Sequence, residues 1–366
     1  MIDTAEDRKD TPDFYEGQVP SFAEAALETL YGSLYSSLPQ LMLSGLDGVS
    51  TYTATHRGEL RALFLYAREG RTIRVINEGM TLQATDAERF ATALFARDSE
   101  VRKIRFHAVR VMEAFSVSPV LRAPVTEDIA ITLPNNEASY TASLGKSTRK
   151  TLRQNLSRAG NLLHGIVPGE MADIALIDNI IGFNRARMAG KHRQFAIDKC
   201  AREQLLALIR KRGMVGTIHV DGLLRAGTLA CRIGDDVYSL VNAHDSAVDH
   251  LGMGNLSRHL MILAAISAGA RRFHLLGGHF SSKRSAGAQR ISLDDLAIYR
   301  SRLAMMTDIA GLISLALRSV NYKLRVAIED RDRRAGASLP ARIAGKSISW
   351  IRETVHALRR LQRSRH

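Results

Sequence analysis

The sequence predicts a mixed α/β (α+β) fold made of two tandem halves, each a mostly antiparallel sheet flanked by helices. In each half, three short apolar or alternating segments follow one another with glycine-containing turns between them, as in an antiparallel meander. A helical pattern precedes each meander, and another helix and further strands follow it. The order of elements therefore repeats along the chain, although the residues themselves do not.

The first half is expected over residues 21–135, after a flexible polar lead-in at residues 1–20. Ser21 is a favourable N-cap for the apolar-periodic helix that follows it. The remaining elements are strands at 49–55, 60–67 and 72–77, a helix at 84–97, and strands at 104–109 and 128–133.

The second half is expected over residues 136–300, and a helical region with a basic tail over 301–366. The elements of the second half are helices at 139–158, 172–189 and 200–212, strands at 214–220, 223–233 and 236–243, a glycine turn, a helix at 257–268, and strands at 272–276 and 290–298. Asp221-Gly222 and Gly234-Asp235 provide the hairpin turns of its meander.

Composition limits the class of protein. Apolar residues make up 45% of 366 residues, which excludes wholesale disorder and allows a sizeable core. The formal charge of +14 favours anionic partners without choosing among them. The spacing of Cys200 and Cys231 does not suggest zinc, so no metal is expected. No secretory signal or membrane-spanning stretch is apparent, and we expect a cytoplasmic protein.

The glycine turn is the most informative segment, because it lies between a strand and a helix. Its residues are Leu251, Gly252, Met253, Gly254 and Asn255. Closely spaced glycines allow backbone N–H groups to approach a phosphate, and the following helix points the positive end of its dipole at that phosphate. The segment therefore predicts a diphosphate-binding loop; the alternative is a tight turn with no ligand.

Polar residues near this turn are the candidates for catalysis. Asp245, or His244 beside it, ends the preceding strand and could remove a proton from an acceptor. Tyr238 on the same strand is a candidate proton donor. The alternatives are a turn aspartate that caps backbone N–H groups and a strand aromatic. His279 and Lys283 follow the next strand and are predicted to bind substrate, although an exposed lysine would look the same.

A strongly basic helix over residues 143–158 precedes the meander of the second half. Leu144, Leu152 and Leu156 recur at multiples of four and predict a stripe that faces a core. No acidic residue occurs from Ser139 through Gly169, so ion pairs within the helix are not available. We therefore expect Arg149 and Arg153 to bind an anionic substrate; the alternative is a solvated charged face.

The tail at residues 341–366 combines an apolar helical stripe with seven basic residues and one acid, Glu353. Such a helix can lie on an anionic membrane, dock on a partner such as a membrane synthase, or pack on its own domain. The sequence leaves these alternatives open. Peripheral location at the inner membrane is one of the expected outcomes.

The order helix, meander, glycine turn, helix and strand resembles GNAT acyltransferases, whose phosphate loop reads roughly Gln/Arg-x-x-Gly-x-Gly/Ala. Here the aligned stretch is Asp249-His250-Leu251-Gly252-Met253-Gly254, with Asp249 in place of the usual Gln or Arg. The basic helix and the segment 277–284 resemble the CelD-like subfamily associated with cellulose and exopolysaccharide biosynthesis. Ser282 replaces the Tyr that often precedes Lys283. The first half resembles a degenerate repeat, as in Fem-type transferases that use aminoacyl-tRNA.

The resemblance implies an acetyl-CoA or acyl-CoA dependent transferase in bacterial polysaccharide or cell-envelope biosynthesis. The acyl group would pass to an amine or hydroxyl of a small or sugar-linked acceptor, by direct attack in a ternary complex. Two alternatives remain open. One is a Fem-like transferase that uses aminoacyl-tRNA, and the other is an inactive scaffold that recruits a membrane synthase. Binding to DNA has only the net charge in its favour.

Overall fold

The computed structural model describes residues 12–42, 45–116, 119–191, 195–276 and 280–334. The chain consists of two compact units, Met1–Ser319 and Val320–His366. The first unit contains both predicted halves. The tail predicted at residues 341–366 lies outside the described residues.

The first half contains a sheet region with helices on the connections. Its strands are β1 (Pro12–Tyr15), β2 (Ser50–His56), β3 (Glu59–Glu69), β4 (Thr72–Val75), β5 (Thr81–Leu82), β6 (Lys103–Val111) and β7 (Val120–Thr132). Its helices are α1 (Ala23–Tyr31), α2 (Leu38–Met42) and α3 (Ala84–Arg97), with a 3₁₀ turn at Leu34–Ser36.

The second half repeats this plan with longer helices. Its strands are β8 (Leu162–Pro168), β9 (Gly213–Val220), β10 (Leu223–Ile233), β11 (Asp236–His244), β12 (Arg272–His274) and β13 (Gln289–Tyr299). Its helices are α4 (Glu137–Ser143), α5 (Lys146–Arg158), α6 (Ile174–Gly190), α7 (Lys199–Arg212), α8 (Met253–Ser267) and α9 (Ser281–Arg284). Two further helices, α10 (Arg302–Thr307) and α11 (Ile309–Arg334), follow.

The strands of the described residues form one continuous sheet in the order β1-β2-β3-β4-β6-β13-β7-β12-β11-β10-β9-β8, with β5 beside β6. The two halves exchange strands at the centre. β13, from the end of the second half, pairs with β6 and β7 of the first half, and β7 pairs in turn with β12. The mixed α/β class with two repeated halves is confirmed. The boundary between residues 135 and 136 stays a prediction, and the pairing of β7 and β13 runs across it.

Three local expectations differ from the structure. The lead-in at residues 1–20 contributes β1, an edge strand paired with β2. The edge strand β8 was not expected, and it pairs along its whole length with β9. The single basic helix is divided into α4 and α5, because Leu144 is extended and Gly145 caps α5. Leu156 is exposed, since α5 ends two residues later and packs through Leu152 and Asn155 instead.

Separate apolar clusters cover the sheet. In the first half, Phe90 of α3 packs on Phe64 and Phe106 of the sheet in tilted and edge-to-face arrangements, with ring centroids 5.3–6.3 Å apart. In the second half, Met261 and Ile262 of α8 pack against β12 and β7 in a second cluster. Aromatic pairs and buried aliphatic side chains contribute most of the apolar burial that holds helices on a sheet. None of the described helices combines the length and apolarity that a bilayer-crossing helix needs.

Candidate active site

Strands β11 and β12 diverge in the middle of the second half. They are parallel neighbours only from Asp236↔Arg272 to Tyr238↔His274. Beyond that pair, the stretch from Ser239 to His244 has no partner on this side among the described strands. A sheet edge of this kind carries unpaired N–H and C=O groups that an extended ligand can bind as an added strand.

A β-bulge lies at the point of divergence. On the other side of β11, Leu229 is opposite Val241 whereas Ala230 is opposite Ser239, so Leu240 is the additional residue. Bulges bend a strand and redirect its side chains and N–H groups. Val237 therefore faces α8 before the bulge, and Asn242 faces α8 after it, donating from Nδ2 to Gly254 O at 3.0 Å.

The glycine turn connects the end of β11 to α8. A 3₁₀ helix, Ser246–Leu251, leads into Gly252, which has φ of 64° and is the N-cap of α8. Only glycine adopts this left-handed conformation without steric cost. A side chain at Gly252 would also overlap Asn155 Nδ2 of α5. The first glycine of the motif therefore has a structural reason that is independent of any ligand.

Some backbone N–H groups of the predicted phosphate loop already donate hydrogen bonds within the protein. Gly252 N–H donates to Asp249 O at 3.1 Å, and Asn255 N–H donates to Gly252 O at 3.1 Å. Met253 and Gly254 remain as the first two residues of the helix, where N–H groups have no acceptor within the helix. Leu251 and Met253 are buried side chains of a small apolar cluster, whereas Asn255 is exposed.

His244 and Asp245 both lie beside this turn. His244 Nε2 is 2.6 Å from Asp249 Oδ1, and its Nδ1 would be 3.0 Å from a Cβ at Gly254. Asp245 caps the 3₁₀ helix and is 2.6 Å from Arg225 Nη1. The hydrogen bond from Ala247 N–H, together with Arg225, holds the pKa of Asp245 below its usual value. Their catalytic role stays a prediction.

Two arginines that sequence reasoning missed lie near the start of α8. Arg258, one turn into the helix, contacts Asn255 Oδ1 at 3.4 Å. Burial lowers the pKa of Arg258, and the nearby guanidinium of Arg187 on α6 lowers it further. Two mutually repelling cations beside a helix N-terminus form a setting that a bound anion would stabilise. The spacing of four residues between Gly254 and Arg258 was the available signal, because it places both on one helix face.

Tyr238 lies at the other end of the divergence, on the opposite sheet face from Val237. Its ring stacks on His274, with centroids 4.1 Å apart, and its hydroxyl donates to Gly32 O at 2.9 Å. Burial, followed by the nearby Asp236 carboxylate, raises the pKa of Tyr238, so the phenol stays neutral. Tyr238 is therefore separated from His244 by six residues of strand, or about 20 Å.

Tyr238 and His274 line a polar cavity with about 360 Å³ of empty volume that opens to solvent. Asp236 and Arg272 line it from strands of the second half, and Asp128, Thr81 and Arg110 line it from strands of the first half. Because Asp236 and Tyr238 face away from α8, this cavity and the glycine turn lie on opposite faces of the sheet.

A chain of charged groups forms the floor of this cavity. His274 Nδ1 is 2.7 Å from Asp128 Oδ2, and His274 Nε2 is 3.3 Å from Asp236 Oδ2. Arg272 binds Asp236 with both Nε and Nη2, at 3.0 and 2.7 Å. Burial alone would lower the pKa of His274, but the hydrogen bonds with Asp128 and Asp236 outweigh it and raise the pKa. These groups can bind and orient a polar ligand.

The predicted substrate-binding residues are dispersed. Arg149 donates to Ala142 O at 3.2 Å, and Arg153 is exposed on α5. Lys283 is buried, and its ammonium donates to the carbonyls of Leu275 and Leu276 at the end of β12. It therefore holds the backbone of Leu275 and Leu276, the two residues that follow β12. His279 lies outside the described residues.

The first half has no comparable opening in its described part. Its parallel pair, β4 and β6, is in register from Thr72↔Lys103 to Arg74↔Arg105. The chain that leaves β4 then fills the space beside β6: Gly79 N–H donates to Ala108 O at 2.8 Å, and β5 pairs with the end of β6. The following helix, α3, begins after Gln83 without a glycine turn. These differences set the second half apart as the one with an open cleft.

In comparisons with known proteins, the matching family model also falls in the second half of the chain. Residues 146–284 match the family described as acetyltransferase (GNAT) domain. The structure of FemX aligns with 80% of this chain and 99% of its own, at 10% identity and a TM-score of 0.57. At that identity the similarity shows the fold alone.

Two looser structural alignments were also found. The C-terminal domain of a putative lysylphosphatidylglycerol synthetase from Agrobacterium fabrum covers 80% of this chain and 95% of its own, at 12% identity and a TM-score of 0.47. A tandem GNAT protein from the clavulanic acid biosynthesis pathway covers 79% and 98%, at 9% identity and a TM-score of 0.37. No curated protein sequence matches significantly. The segment matched by the family model runs from α5 to α9 and contains the divergence of β11 and β12.

Proposed function

We propose that this chain is an acyltransferase that accepts an acyl group from a coenzyme A thioester and passes it to an amine or hydroxyl of a polar acceptor. The observation that carries the proposal is the divergence of β11 and β12 beside the start of α8. It places an unpaired strand edge, a helix N-terminus and a polar cavity around one opening. When bound, the donor would supply an activated acyl carbon.

The residues present fit the donor in three respects. Met253 and Gly254 offer N–H groups at the helix start, Arg258 and Arg187 supply positive charge, and the edge of β11 runs from there to the bulge at Leu240. Asp249 is the acidic neighbour of the loop, and its Oδ1 is engaged by His244 Nε2 at 2.6 Å. We therefore place His244 and Asp245 at the phosphate end of the site.

The acceptor would enter from the opposite face, through the polar cavity at Tyr238 and His274. Asp128 is the partly exposed carboxylate there, whereas Asp236 is buried against Arg272. We assign Asp128 the role of accepting the proton as the acceptor attacks, and His274 the role of holding that carboxylate in place. Attack is direct, in a ternary complex, without a covalent enzyme intermediate.

Donor binding is tested with a matched pair of glycine substitutions. Gly254→Ala places a methyl group against the ring of His244, whereas Gly182→Ala adds one in open space on α6. Isothermal titration with acetyl-CoA should give at least tenfold weaker binding for Gly254→Ala and no change for Gly182→Ala. Equal affinity for acetyl-CoA in both variants, or no binding by the parent chain, would remove the donor site from this turn.

Measurements of kcat distinguish the two candidates for the general base, Asp128 and Asp245. Asp128→Asn should lower kcat by a hundredfold or more with acetyl-CoA affinity unchanged, as expected for loss of a general base. Asp245→Asn should chiefly weaken donor binding, because it removes the ion pair with Arg225 that helps to hold the start of the turn. The reverse pattern would return the base to the end of β11.

A second candidate function is transfer of an acyl group carried on RNA, as an aminoacyl-tRNA. The exposed basic residues Lys146, Lys150 and Arg153 of α5 favour it, because Asn155 on the same helix contacts the glycine turn. Contacts with several phosphates would make binding of a tRNA probe fall steeply with salt. Binding that is independent of salt would exclude this donor.

The acceptor class follows from the cavity. Its mixture of carboxylates and cations suits a polar, hydroxyl-rich or amine-bearing molecule, such as a sugar-linked precursor of an exopolysaccharide or of the cell envelope. A chain that binds neither acetyl-CoA nor tRNA, yet captures a membrane synthase through residues 341–366, would instead be the inactive scaffold.

A further inference from the structure

A stripe of large apolar side chains is exposed on α10 and α11. Leu303, Met306, Ile309, Ile313 and Leu317 are between 55% and 71% exposed, and we call these five residues the outer stripe. A single exposed apolar side chain is ordinary, whereas a row of them at helical spacing marks an interaction surface.

The outer stripe is distinct from the face with which α11 packs on the protein. On this helix, Ile309, Ile313 and Leu317 fall within an arc of about 80° at 3.6 residues per turn. Leu312 and Leu315 are less exposed and Ser319 is buried, and these three share another side of the helix. The helix therefore has one apolar face toward the fold and a second that no described residue covers.

The charge around this stripe identifies its partner. Residues 302–334, which span α10 and α11, contain seven Lys and Arg residues against four Asp and Glu residues, a net charge of +3. A second copy of the chain would bring two such cationic regions together, and the basic tail at 341–366 would do the same. An anionic surface would neutralise them, at about 1 kcal/mol for each basic residue near it.

We propose that the outer stripe inserts into the interface of an anionic lipid bilayer, with the helix lying parallel to the membrane plane. Apolar side chains on one face and basic residues beside them are the two features that such binding requires. The described part of the chain supplies both, independently of the acyl-transfer proposal and of the tail. An acyltransferase held there would meet acceptors that are attached to lipid or to a membrane synthase.

The test uses the full chain and sedimentation with vesicles of phosphatidylcholine and phosphatidylglycerol at 7:3, or of phosphatidylcholine alone. The double variant Ile313→Gln/Leu317→Gln removes two side chains of the stripe. The matched control is Leu163→Gln/Leu223→Gln, which removes leucines that are 63% and 57% exposed on β8 and β10. Far-UV circular dichroism and thermal melts establish that both variants fold.

Binding of the parent and the control should require phosphatidylglycerol and weaken as salt rises. The stripe variant should partition at least tenfold less, because two fewer side chains enter the acyl region. Equal partitioning of stripe variant and parent would overturn the proposal. So would a lipid-free dimer, seen by analytical ultracentrifugation, that the stripe variant dissociates, since a second copy would then cover the stripe.

Discussion

Replacing Gly252 by alanine tests whether the glycine turn is required by the fold itself. The substitution has two separable effects. The left-handed backbone at φ of 64° disfavours any Cβ by about 1–2 kcal/mol. The new methyl group also overlaps the buried Asn155 side chain, and such overpacking adds about 1–3 kcal/mol. Gly252→Ala should therefore lower the free energy of unfolding by about 2–5 kcal/mol.

Equilibrium urea denaturation, followed by far-UV circular dichroism, measures this loss. Gly160→Ala is the control, because Gly160 has φ of 59° and open space around it, so only the backbone effect applies. Combining Gly252→Ala with Asn155→Ala removes the overlap, and the double variant should lose about 1–3 kcal/mol less than the sum of the single losses. Equal losses for Gly252→Ala and Gly160→Ala, or strict additivity, would refute the contact argument.

Three further outcomes are expected from buried polar groups. Tyr238→Phe removes a hydrogen bond to Gly32 O and should lower the free energy of unfolding by about 1 kcal/mol in urea denaturation; an unchanged value would mean that the bond contributes nothing. His274→Gln should destabilise most below pH 6.5, and the difference from the parent should shrink as pH rises through the raised pKa of His274. A difference between the thermal melts that grows with pH would contradict this sign. Lys283→Met leaves the carbonyls of Leu275 and Leu276 without their donor and should lower the free energy of unfolding by about 1–3 kcal/mol, and an unaltered midpoint in urea would show that other groups replace it.

Local patterns in the sequence predicted the elements whose signals are local. Strand β10 and helix α3 have the predicted bounds, because Asp221-Gly222 and the apolar period of α3 are read over a few residues. Strand β8 was missed because Gly165 interrupts it and its side chains are mostly exposed, which weakens the alternation that identifies a strand. Leu144-Gly145 was read as part of one helix, since glycine lowers helix propensity without forbidding a helix.

For the candidate site too, the features with a local sequence signal were predicted and those that depend on strand order were not. The glycine turn was predicted because its signal lies within five residues, and the structure places it at the start of α8. The pairing of Tyr238 with His274, and the approach of Asp128 to that histidine, depend on the order of β7, β12 and β11 in the sheet. No local pattern encodes that order, because those contacts join residues separated by 36 to 146 positions.

The exchange of β7 and β13 has a consequence for how the chain reaches its native state. Strand β6 acquires its neighbour on the side away from β4 only when Asp294–Tyr299 has left the ribosome, since those residues pair with Lys103–Val109. Until then the edge of β6 is bare, and an uncovered edge is a template for pairing with other chains. Closing a loop of that length also slows formation of the central sheet. Each half therefore completes its part of the sheet only with a strand from the other half.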